Sequence, residues 1–97
     1  MIAGIAPEHL EKIRSIFRKY PNIQQVILFG SRAKGTQREG SDIDLALKGK
    51  KLDSRLLTQI ELDYDAFYLP WKLDVILYDT IENADLKDHV DRVGVLL

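Results

Sequence analysis

Three aspartates stand out in the sequence because each one interrupts an apolar segment. Asp42 and Asp44 are separated by one residue, and Asp74 lies inside the apolar stretch 72–78. Side chains two residues apart on a strand leave the same face, about 7 Å apart along it. Unpaired carboxylates at that spacing repel each other, and a bound cation balances the repulsion. Hard oxygen ligands favour Mg²⁺, with Mn²⁺ as the alternative, over zinc.

Asp74 can join this pair if its strand runs beside theirs in register. Three carboxylates can bridge two metal ions, which is the arrangement that holds the attacking and leaving oxygens in phosphoryl and nucleotidyl displacement. The sequence therefore predicts a site for two Mg²⁺ ions on Asp42, Asp44 and Asp74, provided that the two strands are neighbours.

A Gly-Ser turn after the first apolar segment supplies candidate phosphate ligands. Gly30 lets the backbone approach a phosphate closely, and the following amides and the Ser31 hydroxyl can donate hydrogen bonds to it. Arg32 and Lys34 are expected to add mobile positive charge. The text GSRAKGT is not a P-loop, because Thr36 stands where that motif requires lysine. Gly30, Ser31, Arg32 and Lys34 are predicted to bind nucleotide.

Apolar periodicity predicts the elements that must hold these groups, in the order helix, strand, loop, strand, helix, strand, helix. The helices are predicted to begin at Pro7 and stop at Pro21, to run over 52–67 with Asp53 or Ser54 as the cap, and to run from Asn83 through Leu97. The strands are predicted at 25–29, 42–47 and 72–78, with a polar loop at 31–41 that contains a helical turn over 32–34. This order predicts an α/β or α+β fold, in which helices pack on a small mixed sheet.

Length and composition limit the classes of protein to consider. The chain has 97 residues, which is enough for a single domain, 1–97, and too few for a second core. Its 14 basic and 15 acidic residues leave no basic excess, so direct binding to duplex DNA is not expected. The absence of cysteine excludes disulfides and thiolate chemistry. No apolar run is long enough for a membrane span and the start does not resemble a signal peptide, so we expect a cytoplasmic protein.

The segment GSRAKGTQREGSDIDL joins the Gly-Ser turn to the first two aspartates. It resembles the signature of the DNA polymerase beta nucleotidyltransferase superfamily, including the apolar strand before it. Most of the chain is similar to the minimal nucleotidyltransferase group of that superfamily. These are small bacterial and archaeal proteins, usually paired as antitoxins with a helical HEPN toxin. The resemblance implies a nucleotidyltransferase fold, like the palm of polymerase beta.

The resemblance also assigns roles to individual residues. It implies that Asp42 and Asp44 bind both metals, that Asp74 binds the catalytic metal, and that Gly30 and Ser31 hold the triphosphate. Arginine is common in the group at the position of the lysine of GSRAK, so a bidentate grip on phosphate is not expected there.

The reaction implied by the resemblance is transfer of a nucleoside monophosphate, AMP from ATP in the usual case or from another NTP, to an acceptor hydroxyl deprotonated near Asp74. In the minimal group the acceptor is a tyrosine of the HEPN toxin, which the modification would silence. One alternative is a small-molecule acceptor, as in antibiotic-modifying relatives. Another is a non-catalytic module that binds nucleotide or toxin. The residues themselves do not select the acceptor.

Two histidines and a few apolar residues complete the predictions. His9 and His89 lie in predicted helices without a partner at metal-ligand spacing, so neither is expected to take part in the chemistry. Few loop residues remain to hold an acceptor, which favours a protein partner that positions its own hydroxyl. Tyr68, Trp71 and the residues 95–97 form the predicted patch for that partner.

Overall fold

A mixed β-sheet organises the chain. The computed structural model describes residues 3–97, so the first two residues of the predicted domain 1–97 lie outside the described residues. The strands of residues 3–97 are β1 (Ile23–Phe29), β2 (Ile43–Gly49), β3 (Leu73–Leu77) and β4 (Val95–Leu96). They form one sheet in the order β3-β2-β1-β4, in which β2 and β3 are parallel and β1 is antiparallel to β2 and β4.

The helices confirm the predicted mixture of helices and a small mixed sheet. In residues 3–97 they are α1 (Pro7–Phe17), α2 (Ser31–Lys34), α3 (Ser54–Asp65) and α4 (Ala84–Val93), with a short 3₁₀ turn at Tyr78–Thr80. None of these helices is long and apolar enough to span a membrane.

Both faces of the sheet are covered by helices. On one face, α1 and α3 pack against alternate strand residues, and the core they form includes Ile13, Ile16, Leu45, Ile60 and Val75. On the other face, Val90 of α4 packs against Ile27, Phe29 and Ala46. The middle of β2 is therefore buried from both sides, whereas Asp44 and Lys48, toward its two ends, are only partly buried.

The parallel pairing of β2 and β3 needs a crossover, which α3 provides. As predicted, Asp53 caps this helix, since its side chain accepts a hydrogen bond of 3.1 Å from the Leu56 N–H. The facing residues of the α3 side are buried on both strands: Ile43 with Leu73, Leu45 with Val75, and Leu47 with Leu77. A slip of one residue would turn these side chains out of the core, so burial fixes the register.

The first helix ends earlier than the predicted stop at Pro21. It ends at Phe17, and the chain then turns so that the Tyr20 hydroxyl donates a 2.5 Å hydrogen bond to Asp63 of α3. Burial and this acidic partner raise the pKa of Tyr20 to about 12. The contact joins the end of α1 to α3.

The end of the chain also departs from the prediction of one helix through Leu97. The helix α4 ends at Val93, and β4 follows. Gly94 has no room for a side chain, because a Cβ there would meet the Val90 carbonyl and the Ile27 side chain. The Leu97 N–H donates a 2.9 Å hydrogen bond to the Val26 carbonyl. Pairing with the edge of β1 therefore replaces the last predicted helical turn.

Candidate active site

The register of β2 and β3 brings two aspartates side by side. Asp44 faces Asp74 directly across the parallel strands, so both side chains leave the face on which α4 lies. Asp42 lies immediately before β2, where the Ile43 N–H donates a 2.9 Å hydrogen bond to the Lys72 carbonyl. The condition that the two strands must be neighbours is therefore confirmed.

Negative charge is concentrated around Asp44, which is partly buried, whereas Asp42 and Asp74 are exposed. Burial raises the pKa of the Asp44 carboxyl above its ordinary value. The charges of Asp74 and then Asp42 raise the pKa further, and Arg32 opposes them. This end of the sheet thus carries more negative charge than its nearby basic group balances.

The three carboxylates do not converge on one point as they stand. Within residues 3–97, no group of three or more His, Cys, Asp and Glu side chains is arranged to hold a metal ion. The donor chemistry still fits a hard divalent cation, since the ligands are carboxylate oxygens around an excess of negative charge. Asp42 and Asp74 are exposed and can turn toward a shared ion. Metal binding by these residues stays a prediction.

Gly30 begins the Gly-Ser turn directly beside Asp44. Its φ of 76° and ψ of −156° suit glycine, and a Cβ at this position would collide with the Asp44 carboxylate. The Gly30 N–H donates a 2.9 Å hydrogen bond to Nε2 of His89 on α4. The sequence pattern predicts no role for His89 and does not reveal this contact, because a tertiary pairing across 59 residues leaves no local signal.

Arg32 is buried and fixed, so the expectation of mobile charge is wrong for this residue. It is only 4% exposed. Its Nε and Nη2 donate to the Ser41 carbonyl at 3.2 and 2.8 Å, and its Nη1 donates to the Ala3 carbonyl at 2.8 Å. The guanidinium carbon lies 5.4 Å from the centre of the Trp71 ring. Arg32 thus anchors the loop that leads into Asp42.

The rest of the turn agrees better with the sequence. The predicted helical turn is present as α2, which begins at Ser31 and ends at Lys34, with a left-handed Gly35 as its C-cap. Lys34 is exposed, as expected for a mobile charge. Nucleotide binding by Gly30, Ser31, Arg32 and Lys34 stays a prediction, although Arg32 already uses three of its donors on backbone carbonyls.

The predicted partner patch is divided between two edges of the sheet. Tyr68 and Trp71 precede β3, whereas Val95 and Leu96 form β4 at the opposite edge. Tyr68 is 91% exposed, and Leu96 is 62% exposed. Because β2 and β1 lie between these edges, the two groups do not lie next to each other in the sheet.

Transfer of a nucleotide on metal ions would need such paired carboxylates on neighbouring strands, with a phosphate-binding turn beside them. The family model described as "Polymerase beta, Nucleotidyltransferase" matches residues 11–97. The chain belongs to this family of nucleotidyltransferases.

Individual proteins similar to this chain have more specific descriptions than the family does. The chain is 28% identical over 94 residues to "Probable protein adenylyltransferase MntA" of Haemophilus influenzae, covering 96% of this chain and 82% of the relative. A crystal structure of a toxin-antitoxin with AMP-PNP is 28% identical, with a TM-score of 0.72 over 89% of this chain and 69% of that one. A tri-AMPylated Shewanella oneidensis HEPN toxin in complex with its MNT antitoxin matches with a TM-score of 0.67, 23% identity, and coverage of 92% and 68%. At that identity the last likeness shows the fold.

The contacts of Arg32 predict a structural effect on substitution. We expect Arg32→Ala to lower the free energy of unfolding by about 2 kcal/mol, because it leaves the buried carbonyl contacts of Ser41 and Ala3 without donors. Arg32→Lys should also destabilise the fold, since one ammonium cannot reproduce the forked geometry. Thermal and urea unfolding measure this, and the exposed Lys34→Ala is the control. A stable Arg32→Lys variant would contradict the anchoring role.

The charge around Asp44 predicts that one substitution there raises stability and lowers activity. Without metal, Asp44→Asn should raise the melting temperature, because it removes an ion that is unfavourable in the folded state, and should lower transfer at least about a hundredfold. Since the folded pKa is raised, the destabilisation is present above that pKa and is lost as pH falls toward the ordinary value of 3.8. The difference in melting temperature between Asp44→Asn and the wild type should therefore become smaller as the pH falls. Melting curves across pH measure it, with the exposed Glu82→Gln as the control; a less stable Asp44→Asn variant would argue for a structural carboxylate.

Proposed function

We propose that this chain transfers AMP from ATP to a tyrosine hydroxyl of a HEPN-type helical toxin, and thereby acts as its antitoxin. The observation that carries the proposal is the pairing of Asp44 with Asp74 beside the Gly30 turn. Membership of the nucleotidyltransferase family, the adenylyltransferase relative and the toxin-antitoxin structure with AMP-PNP support the choice of donor and partner. We also propose the cytoplasm, where ATP is available, as the place of action.

The chain's own residues divide the work at the nucleotide. Gly30 allows the backbone to approach the triphosphate, and the Ser31 amide and hydroxyl donate hydrogen bonds to it. Lys34, which is exposed, adds positive charge to the same phosphates. Asp42, Asp44 and Asp74 would hold two Mg²⁺ ions, or Mn²⁺, whose charge would stabilise the phosphates and the departing pyrophosphate.

The transfer step exchanges one phosphorus–oxygen bond for another. The acceptor tyrosine oxygen approaches the α-phosphorus from the side opposite the leaving pyrophosphate, within about 3 to 3.5 Å. Its proton passes to the carboxylate of Asp74, which is exposed and therefore accessible to an acceptor. A bond forms between the tyrosine oxygen and the α-phosphorus while the bond to pyrophosphate breaks. The products are the AMP-tyrosine ester and pyrophosphate.

The acceptor side of this site lies at the end of β3 that carries Asp74. There, Tyr68 holds an exposed ring on a left-handed backbone, with φ of 52°. This conformation costs a residue other than glycine about 1 kcal/mol. The exposed ring does not offset that cost by packing within the chain. Tyr68 and Trp71 line a cavity of about 570 Å³ together with the acidic Glu61 and Asp65. We propose that the partner docks at this edge and places its tyrosine near Asp74.

The transfer reaction can be tested directly with the partner. The chain should be co-purified with the helical protein encoded beside it, and the complex incubated with labelled ATP and Mg²⁺. We expect the partner to gain the mass of AMP on a tyrosine, located by peptide mass spectrometry. Asp74→Asn should lower this at least about a hundredfold, because it removes a metal ligand and the group nearest the acceptor proton.

The same assay separates the alternatives. An unmodified partner, combined with AMP transfer to a small hydroxylated compound, would move the function to a small-molecule transferase. A partner that is inhibited by binding alone, with no label transferred, would support the non-catalytic module. Glu82→Gln, which removes an exposed carboxylate on the segment before α4, should transfer AMP at the wild-type rate.

The docking edge is testable because the strained position offers a matched variant. Tyr68→Gly should keep or raise stability, since glycine adopts the same φ without strain, but should weaken the complex at least about tenfold through loss of the ring. Tyr68→Phe should bind nearly as the wild type does. Leu96→Ser, at the opposite edge, is the control. Equilibrium binding to the purified partner measures all three, and an effect confined to Leu96→Ser would assign docking to the β4 edge instead.

A further inference from the structure

His89 is the one side chain of α4 in residues 3–97 that forms a hydrogen bond with the Gly-Ser turn. Its Nε2 accepts the Gly30 N–H at 2.9 Å, so this nitrogen carries a lone pair and the ring proton lies on Nδ1. The ring is partly buried and meets Phe29 edge to face, with 6.2 Å between ring centres. Packing therefore holds the imidazole in the orientation that the hydrogen bond needs.

The same glycine is also confined by β2. Asp44 faces Phe29 across the antiparallel pair, and its carboxylate lies against the Cα of Gly30. Gly30 is thus held by His89 from α4 and by Asp44 from the sheet. A peptide fixed at both its amide and its Cα has little freedom, and the next residue, Ser31, inherits its position.

We infer that His89 is a positioning residue of the nucleotide site, which holds the Gly30 peptide so that the Ser31 amide and hydroxyl are ready to receive the triphosphate. The inference rests on the proposed nucleotide-binding function of this turn. It extends the site from the sheet to α4, an element that otherwise packs through Val90. Because the Gly30 amide is already engaged by His89, the phosphates are left to the groups that follow it.

A series of substitutions at His89 separates this role from simple packing. Glutamine can present its amide oxygen near the position of Nε2 and accept the Gly30 hydrogen bond. Leucine can pack against Phe29 but cannot accept it, and the shorter asparagine does not reach. Protection of the Gly30 amide and affinity for ATP should therefore be highest in the wild type, next in His89→Gln, and well below in His89→Asn and His89→Leu. Packing alone would rank His89→Leu highest.

The first measurement uses the whole chain without nucleotide. Amide hydrogen exchange and the NMR signal of Gly30 report the hydrogen bond itself. We expect faster exchange at Gly30 in His89→Leu and His89→Asn, and near wild-type exchange in His89→Gln. Unchanged exchange in His89→Leu would overturn the inference, because the amide would not depend on His89.

The second measurement is the affinity for MgATP and the split between KM and kcat in the partner assay. We expect His89→Leu to raise the KM for ATP about tenfold with a smaller effect on kcat, and His89→Gln to recover most of the loss. Faster Gly30 exchange with wild-type ATP affinity would reduce His89 to a structural contact. Failure of the wild type itself to bind ATP would instead contradict the proposed function, while the exchange result would still stand. If His89→Leu does not fold, the comparison of His89→Gln with His89→Asn decides.

Discussion

The in-register pairing of β2 with β3 is the constraint on which the site depends. It aligns Phe29, Asp44 and Asp74 in one row across three strands, next to a fully apolar row of Ile27, Ala46 and Ile76. The carboxylates are thereby forced together at the edge of the core, where neither can move away along the sheet. Their repulsion opposes folding, and the buried residues on the other face supply the energy that maintains the register. The core therefore positions the site, and the charges do not choose their own arrangement.

The remaining parts of the site are arranged around this row. Gly30 is required because the Asp44 carboxylate occupies the space of its side chain. Arg32 then turns inward to the carbonyl of Ser41, which fixes the backbone immediately before Asp42. The same short turn thus contacts β2 through Gly30 and fixes the backbone before β2 through Arg32. We therefore expect a substitution at Gly30 or Arg32 to displace the aspartates more directly than the proposed phosphate-binding groups.

The sequence predicts those features that depend on local pattern. Alternating apolar residues predict β2, an apolar stretch interrupted by one aspartate predicts β3, and the cap at Asp53 follows from residue type. The misses are tertiary. The polarity of its loop predicts a mobile Arg32, whereas its burial depends on the carbonyls of Ser41, at the far end of that loop, and of Ala3, 29 residues away. The sequence of β4 continues the helical pattern of α4, but its backbone pairs with the edge of β1 instead. His89 has no local signature, because only the packing of α4 brings it to Gly30.

The two halves of the reaction are supported unequally by this fold. The proposed nucleotide side lies between β1, β2 and α4, and contacts within the chain, such as those of Gly30 with Asp44 and His89, set its geometry. The proposed acceptor side consists of the exposed Asp74, the open cavity beside Tyr68 and the edge of β3. An acceptor held so loosely must bring its own order, and a folded protein does so at lower entropic cost than a flexible small molecule. In the proposed reaction, this chain would select the nucleotide, and the shape of the partner would largely select the hydroxyl.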